Sequence, residues 1–492
     1  MKNNLLIAAA FLLLPATLIA QKDSLKAVIE KQPANVEAHK EYVSLMEGDS
    51  AGLVKQYQLW LKKFPKTAAV PYGLGSYYAS REDPAAKPYL LKAVTLDPKL
   101  ADAWFRLSFD AQCWGEFKKS EEYMGNAVKA APDNPDYLFQ YAYSLLETNP
   151  VKADEQIKIL YSKFPQSQRW AQMLYWRAIL STDQQQRIDL YEQLRESFPM
   201  ASTKWAAWGM RDYIDLLLGI NADTAAKMAS LLLQQPGLDS SQTADLETGK
   251  QLSLAFVQAQ TLLAAHQPAA ASDALKGLTV NMWEEQSFFL LKGRIALEAG
   301  GPKQAYDTLM ACYIKAPARR LKDTLLYYGG KVGKTENTVY KEIKQQLLAG
   351  AKQADFKLTS YLSSGQASMS DYKGKVVLFT FWFPGCGPCR DEFPHFERVL
   401  KRFREYPVSY IGVNIARQQD SYVIPFMKSS GYSFMPLKDM GANRHNLPVW
   451  GAPTNYLIDQ EGRIIFKGFR VHDEESEKML QDMIQLLLHK TV

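Results

Sequence analysis

Prolines that follow helix-like segments fall at Pro33, Pro65, Pro98, Pro132, Pro165 and Pro199, at intervals of 32, 33, 34, 33 and 34 residues. Proline stops a helix because it lacks an N–H and clashes with the preceding turn. Stops this regular demand a row of similar helical units, each burying its apolar face against its neighbours. One unit carries Trp104, Leu107, Ser108, Ala111, Ser120, Met124, Ala127 and Pro132. The preceding one repeats the pattern with Leu74, Gly75, Tyr78, Ala86, Leu90, Ala93 and Pro98. Small residues recur where two helices of a unit cross closely, and large ones fill the groove between units.

In these offsets the stretch from about Asp23 to Pro199 resembles tetratricopeptide repeats. The resemblance implies an all-α solenoid over 21–199 with a concave surface for a protein partner. From 200 to 353 the chain stays helical but loses the clean period, with a loop at Pro236-Gly237-Leu238-Asp239-Ser240-Ser241. One tidy unit returns with Phe289, Gly293, Ala296, Ala305, Leu309, Cys312 and Pro317. Cys312 there holds a small packing position. Cys113 falls on a predicted helix of a different unit, and a bond between the two is not expected, because each unit touches only its neighbours.

A length of 492 residues predicts two to four domains. The net charge of +6, from 58 basic and 52 acidic residues, is modest. No basic run with interleaved aromatics is present, so nucleic acid is not an expected partner. Four cysteines exclude a fold held together by disulfides. Residues 1–20 read as an export signal: Lys2, the apolar Leu5–Leu14, a break at Pro15 and Ala16, and Ala20 before the cut. The apolar run is shorter than the roughly 18–20 residues of a membrane span. A soluble protein in an exported compartment such as the periplasm is expected.

Reactive chemistry is concentrated in Phe379–Arg390. The apolar run Val376–Phe383 has the length of a strand buried on both faces. It leads into Cys386-Gly387-Pro388-Cys389 and a helical segment. Pro388 suits a first helical turn. Cys386 then lies at the helix N-terminus, where free N–H groups and the dipole favour a thiolate. A second thiol three residues on makes a disulfide-exchange centre. Half a zinc site and a purely structural disulfide are the alternatives. Zinc needs four ligands, and no second pair has ligand spacing, although His395 is near. No metal or cofactor is expected.

Lys373-Gly374-Lys375-Val376-Val377, the Cys-Gly-Pro-Cys, and Glu392-Phe393-Pro394 resemble the thioredoxin-like domain of TlpA/ResA-type exported oxidoreductases. Gly451-Ala452-Pro453-Thr454, the following Tyr456-Leu457-Ile458-Asp459 and the Gly462 turn fit the same family. The likeness runs from about residue 354 to 492. It implies that Pro453 is a cis proline facing the cysteine pair, and that Glu392 exchanges a proton with Cys389. By residue type alone Pro453 is a loop proline, and Glu392 is equally well a solvated surface group. Trp382, Gly387, Pro388 and Ala452 are expected to line the substrate site. Two residues depart from the pattern. Thr380 stands where thioredoxin has a buried aspartate, and Gly385 stands where a tryptophan is frequent. The second removes an aromatic wall and is expected to leave Cys386 more open.

The expected fold class is therefore an all-α solenoid followed by an α/β thioredoxin-like domain. Within the latter, Phe356–Leu358 is an early edge strand, Val376–Phe383 the central strand and Arg390–Glu405 the helix behind the cysteines, kinked at Pro394. Val408–Ile415 is a parallel partner, Ser421 caps a helix over Val423–Ser430, and Asn455–Ile458 pairs with Arg463–Phe469 as a hairpin. Glu474–His489 closes the chain. The expected function is an exported oxidoreductase in which an exposed Cys386 attacks protein or peptide disulfides and Cys389 resolves. An upstream membrane dithiol protein would deliver electrons, and the repeats would dock a protein partner. The rival is a repeat scaffold with a non-catalytic thioredoxin-like domain. A thiol peroxidase would need Thr or Ser three residues before its cysteine, and Phe383 is there.

Overall fold

The computed structural model describes residues 21–488, apart from 147, 279, 281–284, 440, 442–443 and 445. The expected signal over 1–20 and the expected helix end at His489 lie outside the described residues. Among these no helix is long and apolar enough to cross a membrane.

Helices pair along the first half of the chain. Val36–Leu45 is followed by Ser50–Lys63, Ala69–Ser80 by Ala86–Leu96, and Ala101–Cys113 by Phe117–Ala130. Pro135–Leu145 precedes Pro150–Lys163, and Gln168–Leu180 precedes Gln184–Ser197. Each second helix stops just before one of the spaced prolines. Asn134, Asn149, Ser167 and Asp183 accept backbone N–H bonds as caps, which is why the starts are as regular as the stops. Close crossings need glycine: a Cβ at Gly75 would lie 2.9 Å from the Leu90 side chain.

Pairing continues past Pro199 with longer helices. Lys204–Ile220 and Ser240–Ala264 run for 17 and 25 residues, and this added length erases the proline period. Glu285–Lys315 is two helices broken at Gly300 and Gly301, with Pro302 restarting the second. That is the unit read from Phe289 to Pro317. A continuous apolar cluster joins Met124 to Ile343.

The C-terminal unit is an eight-stranded sheet. In chain order its strands are β1 (Lys352–Gln353), β2 (Lys357–Ser360), β3 (Gln366–Ser368) and β4 (Val376–Trp382). They continue with β5 (Val408–Asn414), β6 (Met435–Lys438), β7 (Thr454–Ile458) and β8 (Arg463–Lys467). The spatial order is β1-β8-β7-β4-β5-β6-β2-β3. β4 pairs parallel with β5 and antiparallel with β7. Helix Gly387–Lys401 makes the crossover and runs through Pro394. This is the thioredoxin-like order. Two details differ from expectation. The strand at Phe356–Leu358 is not an edge: β2 is flanked by β3 and β6. Ser421 is no cap, because helix Asp420–Ser430 begins one residue earlier, after Gln419, without a side-chain cap.

Among the described residues the array and the sheet unit touch in two places. At the end of the array, Lys322 pairs with Asp482 of helix Glu474–Leu487, and Lys344 donates to the carbonyls of Leu486 and Leu487 at 3.3 and 3.5 Å. The second contact is made far back along the chain, by the turn between Ala101–Cys113 and Phe117–Ala130. There the Tyr422 hydroxyl donates to Asp110 at 2.8 Å, with both residues buried. Trp114 meets Tyr422 and Phe117 meets Phe426 edge-on, with centroids 5.6 and 6.0 Å apart. Gly115 has φ +70°, and a Cβ on it would lie 2.8 Å from the Phe426 carbonyl oxygen. Two aromatic pairs at about 0.5–1.5 kcal/mol each and a buried hydrogen bond at about 1 kcal/mol suffice to hold units already tethered, since tethering removes most of the association cost.

Burial raises the Asp110 carboxyl to about 6, against the smaller lowering effects of its bond to Tyr422 and of the Lys87 charge. The folded protein therefore holds a proton there that the unfolded chain, near 3.8, releases. Its contribution to stability is fullest below about pH 4 and falls as pH rises through 6. Asp110→Asn keeps an acceptor for Tyr422 but carries no charge. It should raise the melting temperature at pH 7.5 and change it much less at pH 5; equal shifts at both pH values would contradict this account of Asp110.

Candidate active site

β4 is buried along its whole length. Val376, Leu378 and Trp382 face one core with Cys386 and Cys389, and Val377, Phe379 and Phe381 face the other. The strand therefore ends directly beneath the helix that follows. Cys386 is the N-cap of that helix, and Pro388 sits in its first turn. Cys386 and Cys389 form a disulfide with their Cα atoms 5.3 Å apart. The Cys389 N–H donates to Cys386 Sγ at 3.2 Å. Pro388 is exposed and Gly387 half-buried.

The Ala452–Pro453 bond is cis. Ala452 packs against the cluster that contains both cysteines, and Ala452 and Pro453 are half-buried just before β7. The remaining thiols are unreactive by surroundings. Cys113 and Cys312 are free and buried. Burial pushes the Cys113 thiol up to about 12 and raises that of Cys312.

Glu392 is 1% exposed, so the surface alternative falls. Its Oε1 accepts from Arg470 Nε at 2.6 Å and from the Val471 N–H at 3.0 Å. Its Oε2 accepts from Asn455 Nδ2 at 2.9 Å. The Thr380 hydroxyl donates to Asn455 Oδ1 at 2.7 Å. The residue in the aspartate's place thus joins the same buried network as Glu392, through β7. Arg470 carries no motif and was not legible in the sequence. His395 faces helix Glu474–Leu487, with Nδ1 2.6 Å from Glu477.

Two expectations fail on burial. Trp382 is fully buried between Phe393, Phe426 and Phe434. It is core beneath the site, not a surface for substrate. Gly412 on β5 makes the space: a Cβ there would lie 2.9 Å from Trp382 Nε1. Cys386 was expected to be open, the more so for Gly385, yet it is only 3% exposed. The helical array borders it. Arg390, next after Cys389, donates to Gln112 at 2.8 Å and to the Pro384 carbonyl at 3.0 Å. A Cβ on Gly385 would lie 3.3 Å from Phe109 Cζ and 2.7 Å from Gln419 Nε2. Nothing in the local sequence of either unit announces this contact, because its partners are 278 residues apart.

The AhpC/TSA family matches residues 349–467. The thiol-disulfide oxidoreductase ResA of Bacillus subtilis is 30% identical over 156 residues, which make up 30% of this chain and 83% of that protein. The thioredoxin-like protein YneN of the same organism is 29% identical over 159 residues, or 32% of this chain and 92% of its own. A solved thiol:disulfide interchange protein of the thioredoxin family from Chlorobium tepidum aligns at 20% identity and a TM-score of 0.24, over 28% of this chain and 98% of that one. At 30% identity across most of the ResA chain, the protein belongs to the ResA-like thiol–disulfide oxidoreductases.

Proposed function

We propose that the protein is an exported oxidoreductase that reduces protein or peptide disulfides. What supports this most is a Cys386–Cys389 disulfide at a helix start, together with a cis Ala452–Pro453 bond whose Ala452 packs against the cluster that holds both cysteines. In the reduced protein the Cys386 thiolate attacks one sulfur of the substrate disulfide, and the other leaves as a thiolate. The Cys389 thiolate then attacks Cys386 Sγ, releases the second substrate thiolate and restores the Cys386–Cys389 disulfide. Two electrons have passed to the substrate. A membrane dithiol protein upstream reduces the Cys386–Cys389 disulfide again and is itself oxidised to a disulfide.

Each neighbour has a part. The helix start and the Cys389 N–H, already 3.2 Å from Cys386 Sγ, favour negative charge on that sulfur. Gly387 and Pro388 keep the turn tight and lie open to the substrate. Ala452 and Pro453 offer backbone for strand-like pairing. Glu392 takes the proton from Cys389 when that thiol must attack. The array, tetratricopeptide-like over 21–199 and continued to 353, docks a protein partner, and 354–492 carries the chemistry. The scaffold alternative draws on one observation, the burial of Cys386.

Roles divided in this way predict an asymmetric trap. Cys389→Ser, expressed with its leader in the native host and acid-quenched, should accumulate reductant-sensitive adducts on non-reducing gels, because a serine hydroxyl cannot resolve them. Cys386→Ser should give none. Equal adduct yields from both variants would refute the division, and no adducts together with no exchange by wild type would favour the scaffold.

Glu392→Gln should slow resolution by at least about tenfold and displace the pH–rate profile of exchange, with the circular dichroism unchanged. A slower reaction with an unmoved profile would reduce Glu392 to a tie between its helix and Arg470.

A further inference from the structure

We propose that Phe109, on the helical array, is a specificity-determining residue of the redox site: it supplies the wall beside Cys386 that no side chain at position 385 provides, and it selects disulfide peptides with an apolar residue next to the cysteine. The proposal rests on the oxidoreductase reading above and deepens it.

The argument begins with space. Position 385 immediately precedes Cys386, and a Cβ there would meet both Phe109 and the Gln419 amide. Gln419 is itself fixed, since its Oε1 accepts the Gly385 N–H at 2.6 Å. Glycine at 385 is therefore what lets the array approach the disulfide. On the far side of the pair, Gln112 is bonded to Arg390. Contacts from one helix, Ala101–Cys113, thus flank the disulfide before Cys386 and after Cys389.

The wall is held in place. The Asp110–Tyr422 bond, two aromatic contacts and the backbone approach at Gly115 fix the turn that follows this helix. Phe109 itself is not consumed by the contact. It is 39% exposed, so an apolar surface remains for something else to cover. A second exposed aromatic lies on the segment that leads to the cis proline: Trp450, three residues before Pro453, is 77% exposed. An isolated exposed aromatic needs no explanation. An exposed ring beside the residue that precedes a redox cysteine, with a second exposed ring on the chain entering the cis proline, fits an extended peptide with an apolar side chain beside its cysteine. Aromatic rings give such contacts much area at little entropic cost.

The test uses the full-length protein and two synthetic disulfide peptides, identical except for Phe or Glu beside the cysteine, with oxidised glutathione as reference. Phe109→Ala should lower kcat/KM for the Phe peptide by roughly five- to tenfold, mainly through KM. Phe109→Leu should recover part of the loss. The preference for the Phe peptide over the Glu peptide, and its rate relative to glutathione, should shrink by the same factor. Equal losses on both peptides would make Phe109 merely a support for the fold. Gains on all substrates would make the turn a cover rather than a wall. Unchanged kinetics would also overturn the proposal. If wild type exchanges with neither peptide nor with glutathione, the oxidoreductase reading has failed first, before any variant is compared.

Discussion

Everything in the C-terminal unit hangs from the double burial of Val376–Trp382. Side chains alternate between two cores, so neither face can be given up without emptying one of them. A buried Val, Leu or Phe stabilises by about 1.5–3 kcal/mol, and this strand buries all seven of its residues. Its pairing with β5 and β7 fixes it at the centre of the sheet. The cysteine helix starts five residues later, so its first turn inherits the strand's position. A reactive disulfide held this way follows directly from a strand buried along its whole length, and chemistry that depends on sulfur alignment gains from that placement.

Around this frame the polar interior is small and centres on Glu392. Glu392 keeps three partners, and Asn455 joins it to Thr380 on the central strand. A carboxylate buried to this degree is tolerable only with such partners. Their placement ties the cysteine helix to β7 and to the segment before the last helix. The packing of the unit around the cysteine helix therefore draws on this one carboxyl group.

The sequence was most readable where local rules act alone. Proline spacing marked the helix pairs as far as Pro199, and the longer Ser240–Ala264 helix hid them afterwards without ending them. Strand β4, the cysteine helix start and the terminal hairpin followed from apolar runs and turn residues. The failures have two causes, one local and one distant. Trp382 looked like a site residue by proximity, but strand alternation turns it into the core. Cys386 looked open because Gly385 is small, yet that smallness admits Phe109 from a helix far away in the chain. Contacts at such separation leave no periodic trace, and Arg470 beside Glu392 was silent for the same reason.

The joint between the two units has a mechanical consequence. Helix Glu336–Ala349 ends, two residues follow, and Lys352 already pairs with Ile464 in the sheet. With Lys344 also held on the last helix, there is no slack string here. A partner gripped by the array would not share a volume with the disulfide in the way that a flexible tether allows. It would be presented at a set bearing and range, so that the effective concentration at Cys386 is high for partners of matching geometry and negligible for all others. Selection by such a ruler needs no tight binding at the sulfur itself, which leaves the exchange free to turn over.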